Sequence, residues 1–172
     1  MIDRRGFCTG LLALTLPSAP AFADDVVDFS GTWALDKRAS DSIDDILKAQ
    51  GVSWFKRKAV GGLSVTQRVV QKGTLLDVVI ESSVKTQAHQ WVVDGEPHTR
   101  TLDDGREATS THRFEGGALV TTTTGLSVGG DAYTLVSRRS LADDGQTTRL
   151  DLTCTIDGST TKATRVFRRQ QS

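Results

Sequence analysis

The stretch FSGTWALDKRASDSIDDILKAQGVSWFKRKAVGG, residues 29–62, changes character twice, and those changes decide the architecture. Residues 29–37 read as a strand. Residues 40–51 carry a helix signature: Ser40 or Ser42 can cap the N-terminus, Asp44 and Asp45 sit in the first turn, and Gly51 follows the end. Residues 52–60 predict a second short helix, closed by Gly61 and Gly62.

Everything beyond residue 62 is strand-like. Runs 63–71 and 74–82 are divided by Lys72-Gly73, and runs 86–93 and 97–102 by Asp94-Gly95-Glu96. Similar Asp-Gly and Gly-Gly punctuation separates runs 106–114, 118–127, 132–141, 147–156 and 160–169. Such dipeptides tolerate the positive φ of tight hairpins, and the runs between them are rich in Thr, Val and Leu. The count comes to about ten antiparallel strands with one helical pair after the first. Pro97 stands at a strand start, where a missing donor is tolerated. Strands in this order close either as a sandwich or as an up-and-down barrel. Thr121–Thr124 put hydroxyls on both faces of one strand, which favours a barrel holding water and a ligand over a dry core.

Residues 1–23 stand apart from the domain. Arg4 and Arg5 supply a basic start, residues 6–20 an apolar run too short to span a bilayer, and Ala21-Phe22-Ala23 a small-residue cleavage site before Asp24. The paired arginines before Gly6-Phe7 predict a twin-arginine export signal, the alternative being a general secretory signal with two arginines. The expectation is a bacterial protein exported to the periplasm or beyond, with one domain over residues 24–172. Cys8 leaves with the signal, so Cys154 alone remains, and it is expected as a small buried hydrophobe.

Composition narrows the functional classes. Lys and Arg total 21 against 21 Asp and Glu, and aromatics make up 6%, so no nucleic-acid footprint is expected. His89, His98 and His112 have no metal-ligand spacing, and adjacent Asp44 and Asp45 make a poor acid–base pair. No serine sits in a nucleophile elbow, and no glycine run continues into Lys-Ser or Lys-Thr. No catalytic residue, metal or cofactor is therefore expected.

These pieces, in this order, resemble the fatty-acid-binding proteins of the calycin superfamily. FSGTW is similar to the calycin opening. Residues 42–62 resemble the family's helix-turn-helix lid, with Asp44, Asp45, Lys48, Gly51, Val52, Arg57, Lys58 and Gly61 in register. ESSVKTQAHQWVVDGE (81–96), DDGREATS (103–110) and TKATRVFRR (161–169) resemble later hairpins and the closing strand. The resemblance implies a ten-stranded β-clam with the lid after its first strand, enclosing a cavity for fatty acids or related amphiphiles.

It also implies a site. Arg165 falls where the family's last strand binds the ligand carboxylate, and Phe167 replaces the tyrosine two residues later, removing a hydroxyl donor. For a second arginine the register points to Ser137, with Arg138 and Arg139 just beyond; Arg139, sharing a face with Ser137 and Tyr133, is the preferred candidate. Arg165 has a second reading, as a clasp over the structural Trp33 through a cation–π contact. Ile43, Trp54, Phe55 and Val84 are the expected lid and portal residues, with one of Trp54 and Phe55 packed beneath the lid. The basic flanks of that pair suit transient contact with an anionic membrane. The expected function is a monomeric, non-enzymatic carrier of a hydrophobic or anionic amphipathic ligand. The alternatives are a lipocalin-like module binding proteins through its loops, an enzyme on a calycin barrel, and a barrel filled by its own side chains.

Overall fold

The computed structural model describes residues 26–142 and 144–171, so the signal-peptide reading of residues 1–23 lies outside the described residues. β1 (Gly31–Leu35) is followed by α1 (Asp44–Ala49) and α2 (Trp54–Gly62). Then come β2 (Val65–Lys72), β3 (Leu75–Ser82), β4 (Thr86–Val92), β5 (His98–Thr101), β6 (Glu107–Glu115), β7 (Ala118–Leu126), β8 (Ala132–Leu141), β9 (Thr147–Ile156) and β10 (Ser159–Arg169). The expected order of elements is present throughout, and each expected hairpin break falls between two strands.

All ten strands form one antiparallel sheet in the order β4-β3-β2-β1-β10-β9-β8-β7-β6-β5. β1 therefore lies mid-sheet, clasped between β2 and β10, while β4 and β5 are its unpaired edges. The two edges are linked by one ring stack and one backbone hydrogen bond rather than a ladder. Trp91 of β4 stacks on His112 of β6 with ring centroids 5.4 Å apart, and the Gly95 amide donates to the His112 carbonyl at 3.0 Å. The sheet is thus curled into a clam, which settles barrel against sandwich.

The inward faces supply two apolar clusters. One joins Phe29, Trp33, Val69, Leu76, Val78, Phe114, Leu119 and Phe167. The other lies beneath α1, where Ile46 packs with Tyr133, Cys154, Ile156 and Ala163, and Ile43 adds to its edge. Cys154 is buried and free, as its alternation in the strand implied.

The entry to the helices departs from simple capping. Ser42 accepts from the Asp44 amide at 3.1 Å, whereas Ser40 accepts from the Val166 amide at 2.9 Å and so ties the segment to β10. Ser40 is a strand anchor rather than a cap. Only α1 sends a residue into the core; α2 has no buried residue. Both Trp54 (55% exposed) and Phe55 (79%) stand outside, against the expectation that one packs beneath the lid. The reason is geometric: α1 alone covers the cluster, and α2 is held by polar contacts, Arg57 to Asp44 at 3.2 Å and to the Val52 carbonyl at 2.8 Å.

Trp33 is wholly buried and its indole Nε1 donates to the Phe29 carbonyl at 2.9 Å. The cation above its ring is Arg169, with Cζ 4.2 Å from the centroid, not Arg165. Arg169 also donates to the carbonyls of Gly145 at 2.9 Å and Ser30 at 3.0 Å. The register explains the substitution: Trp33 pairs with Arg169, four residues beyond Arg165 on the same face. Gly31 has φ +145°, and a Cβ there would strike the Arg169 guanidinium, so the Gly-Thr-Trp spacing makes room for the clasp.

Candidate functional site

Strand alternation fixes which side chains face the interior. Arg139 of β8 pairs in register with Leu119 of β7 and Leu150 of β9, and Leu150 pairs in turn with Arg165 of β10. Two arginines thus lie on one inner row with a leucine between them. They do not share an environment.

Arg139 is 4% exposed and lines a cavity of about 510 Å³. One guanidinium nitrogen donates to Gln67 Oε1 at 2.6 Å, and Nη1 is buried without a partner. Its Cζ stands 5.7 Å from the Phe167 ring centroid. Burial lowers its pKa to about 10, so it remains a cation at neutral pH. Among the described residues the cavity wall holds Arg100 and three histidines besides, and no carboxylate. A desolvated cation without a counter-ion is costly, and a site of this kind favours an incoming anion.

Ser137 also lies on the cavity wall, one pleat along β8 from Arg139, facing Thr121 of β7 and Leu152 of β9. Arg165 and Phe167 are not on that wall. Arg165 is partly buried with Nε unpartnered, and burial depresses its pKa. Phe167 belongs to the apolar cluster around Trp33.

The structure adds Gln67 and Ser110, and gives His98, His112, Thr121 and Thr123 a place on the cavity wall that the sequence did not assign. Gln67 orients Arg139 from across the sheet. His112 accepts or donates at Nδ1 with Thr121 at 2.8 Å, and Ser110 shares a 2.8 Å bond with Thr123. Burial, with smaller contributions from His98 and Arg100, pushes His112 down to about 4, so its ring is neutral at neutral pH. His98, on the same wall, meets at 3.0 Å the carboxylate of Asp94, which is not itself part of the lining. These positions were visible as polar residues in alternating strands, but only cross-strand register shows them converging. Among the described residues no cluster suited to a metal ion occurs.

The cavity continues outward past Ile80, Ala88, His89 and Arg100, which also line an open mouth. Lys56 of α2 and Lys85 of the β3–β4 turn border this mouth, and Lys85 pairs with Asp103 across it. Val84, expected at the portal, stands 76% exposed in that same turn. Among the described residues no helix is long and apolar enough to cross a membrane.

No protein-family model matches the chain. A sodium/calcium exchanger regulatory protein from Doryteuthis pealeii is 28% identical over 93 residues, spanning 54% of this chain and 68% of the relative. A Drosophila melanogaster brain fatty-acid-binding protein structure is 27% identical with a TM-score of 0.60, over 82% of this chain and 99% of the other. A Schistosoma mansoni fatty-acid-binding protein in complex with arachidonic acid gives 24% and 0.61, over 83% and 96%. Human cRBP IV gives 22% and 0.62, over 84% and 100%. With ten antiparallel strands, an unpaired β4–β5 edge and a helix pair after the first strand, the chain has the β-clam fold of the fatty-acid-binding proteins.

Proposed function

We propose that this chain binds and carries an anionic amphiphile, a fatty acid or related lipid, inside its barrel. One observation carries the reading: Arg139 is buried on the wall of an acid-free cavity with a guanidinium nitrogen unpartnered. An incoming carboxylate would give that nitrogen its missing acceptor, and Leu119, Leu135, Leu150, Leu152 and Ile80 would enclose the tail. Arg165 then acts from the same row, two strands away, as a second positive charge beyond Leu150. Phe167 supports the Arg139 guanidinium from below instead of touching the head group. The arachidonic acid complex of a structural neighbour supports a carrier over an enzyme.

Displacement of a bound fluorescent apolar probe tests this. Stearate is expected to displace it at least tenfold more effectively than methyl stearate, because only the acid meets the buried cation. Equal displacement by both would remove Arg139 from the site, and displacement by neither would end the carrier reading.

The lid supports a second part of the reading, transient contact with an anionic bilayer. Trp54 and Phe55 meet edge to face, with centroids 5.0 Å apart, fully on the outside of α2, and Lys56 and Lys58 adjoin them. Vesicles containing phosphatidylglycerol should bind the protein, and Phe55→Ser should weaken that binding about tenfold through lost apolar burial. Unchanged binding by the variant would mark the ring pair as an ordinary exposed surface.

A further inference from the structure

The cavity has two chemically different walls. On the inner faces of β5 to β8 stand His98, Ser110, His112, Thr121, Thr123 and Ser137, neighbours in cross-strand register. Leu119 and Leu135 interrupt this polar face, and beside it Leu152 and Leu150 of β9, in register with Ser137 and Arg139, begin an apolar stretch of lining that Ile80 of β3 joins. A saturated chain is matched by the leucines and Ile80 but not by the serine, threonine and histidine positions. Laid through the cavity, it would strip water from those polar positions without replacing the lost hydrogen bonds.

The polar wall also retains hydrogen-bonding capacity. Ser110 and Thr123 share one bond, so one of their two hydroxyl protons stays available. The Thr121 hydroxyl is engaged with His112 Nδ1, leaving acceptor capacity on its oxygen. The spacing from Arg139 is set by the pleat: Thr121 and Ser137 lie one pleat away, roughly 7 Å along the strands, and Ser110 and Thr123 two pleats, roughly 13 Å. A carboxylate at Arg139 would therefore lay the middle of its own chain against this wall.

We infer that the cavity selects a carboxylate amphiphile bearing a hydroxyl group in the middle of its body, which hydrogen-bonds the Ser110–Thr123 pair while its carboxylate meets Arg139. This rests on the anionic-carrier reading above and adds the ligand's second polar group to it.

The test compares 12-hydroxystearate with stearate on the delipidated full chain, by displacement of a fluorescent apolar probe. The hydroxy acid is expected to bind about tenfold tighter, the yield of one buried hydrogen bond. In the double variant Ser110→Ala with Thr123→Val that advantage should vanish while stearate binds at least as tightly as before, since the hydroxyls it desolvated are gone. Removing both partners of a mutual hydrogen bond leaves neither unsatisfied, and retained stearate binding shows that the variant has folded. Stearate binding as tightly as the hydroxy acid would overturn the inference and leave the carrier reading standing, as would an advantage that survives the double variant. Binding of neither acid would overturn both.

Discussion

Replacing Arg139 with leucine is expected to weaken stearate binding about a hundredfold, roughly 2–3 kcal/mol, while leaving methyl stearate almost unaffected. The same variant should be no less stable than the parent. Arg139 is buried with no carboxylate near it, one nitrogen orphaned and its pKa already depressed to about 10. An apolar side chain relieves that desolvation, which offsets the roughly 1–3 kcal/mol cost of leaving the buried Gln67 oxygen without its donor. Lost affinity with preserved or raised melting temperature is the mark of a residue kept for a ligand at some expense of stability. A variant that unfolds, or that keeps its preference for the acid, would assign Arg139 to structure alone. Arg165→Gln is the internal comparison: it should change stearate affinity less than Arg139→Leu, because Arg165 stands off the cavity wall.

The clasp on Trp33 is expected to dominate stability. Trp33→Ala should cost about 3–5 kcal/mol, since the ring is wholly buried and links Phe29 to the inner cluster. At about 2–4 °C per kcal/mol for a domain of this size, the melting temperature should fall by roughly 10 °C. Arg169→Lys should cost about 1–2 kcal/mol, because a lysine lacks the planar fork that spans the ring and the carbonyls of Ser30 and Gly145. Arg165→Gln should stay within about 1 kcal/mol of the parent. Thermal unfolding of the three variants checks the order. A larger loss for Arg165→Gln than for Arg169→Lys would return the clasp to Arg165.

Local chemistry carried most of the fold. Asp-Gly, Gly-Gly and Lys-Gly turns each constrain their own backbone, so the hairpin breaks at residues 72–73, 94–96 and 157–158 could be placed without any knowledge of partners. The two short helices were legible for the same reason. What was not legible depends on distances between strands. Ala163, Arg165, Phe167 and Arg169 share a face by alternation alone, and nothing local tells which of them meets Trp33; the β1–β10 register does. Between Arg138 and Arg139, alternation with Ser137 and Tyr133 already favoured Arg139, and the β8–β9 pairing sets it inward opposite Leu150 despite the longer turn. Arg138 instead reaches outward to the carbonyls of Glu115 and Gly116. Trp54 and Phe55 misled because aromatic residues usually serve a core, whereas α2 covers none. Thr121–Thr124 already hinted at a polar interior, but the convergence of serines, threonines and histidines from four strands carries no spacing signal until the sheet curls.

The most direct measurement is a crystal structure of the chain with stearate bound. The carboxylate is expected inside the barrel, about 2.7–2.9 Å from the Arg139 guanidinium, with the tail against Leu150, Leu152 and Ile80. A head group seated at the mouth beside Lys56 and Lys85, with Arg139 still bound to Gln67 alone, would contradict the account.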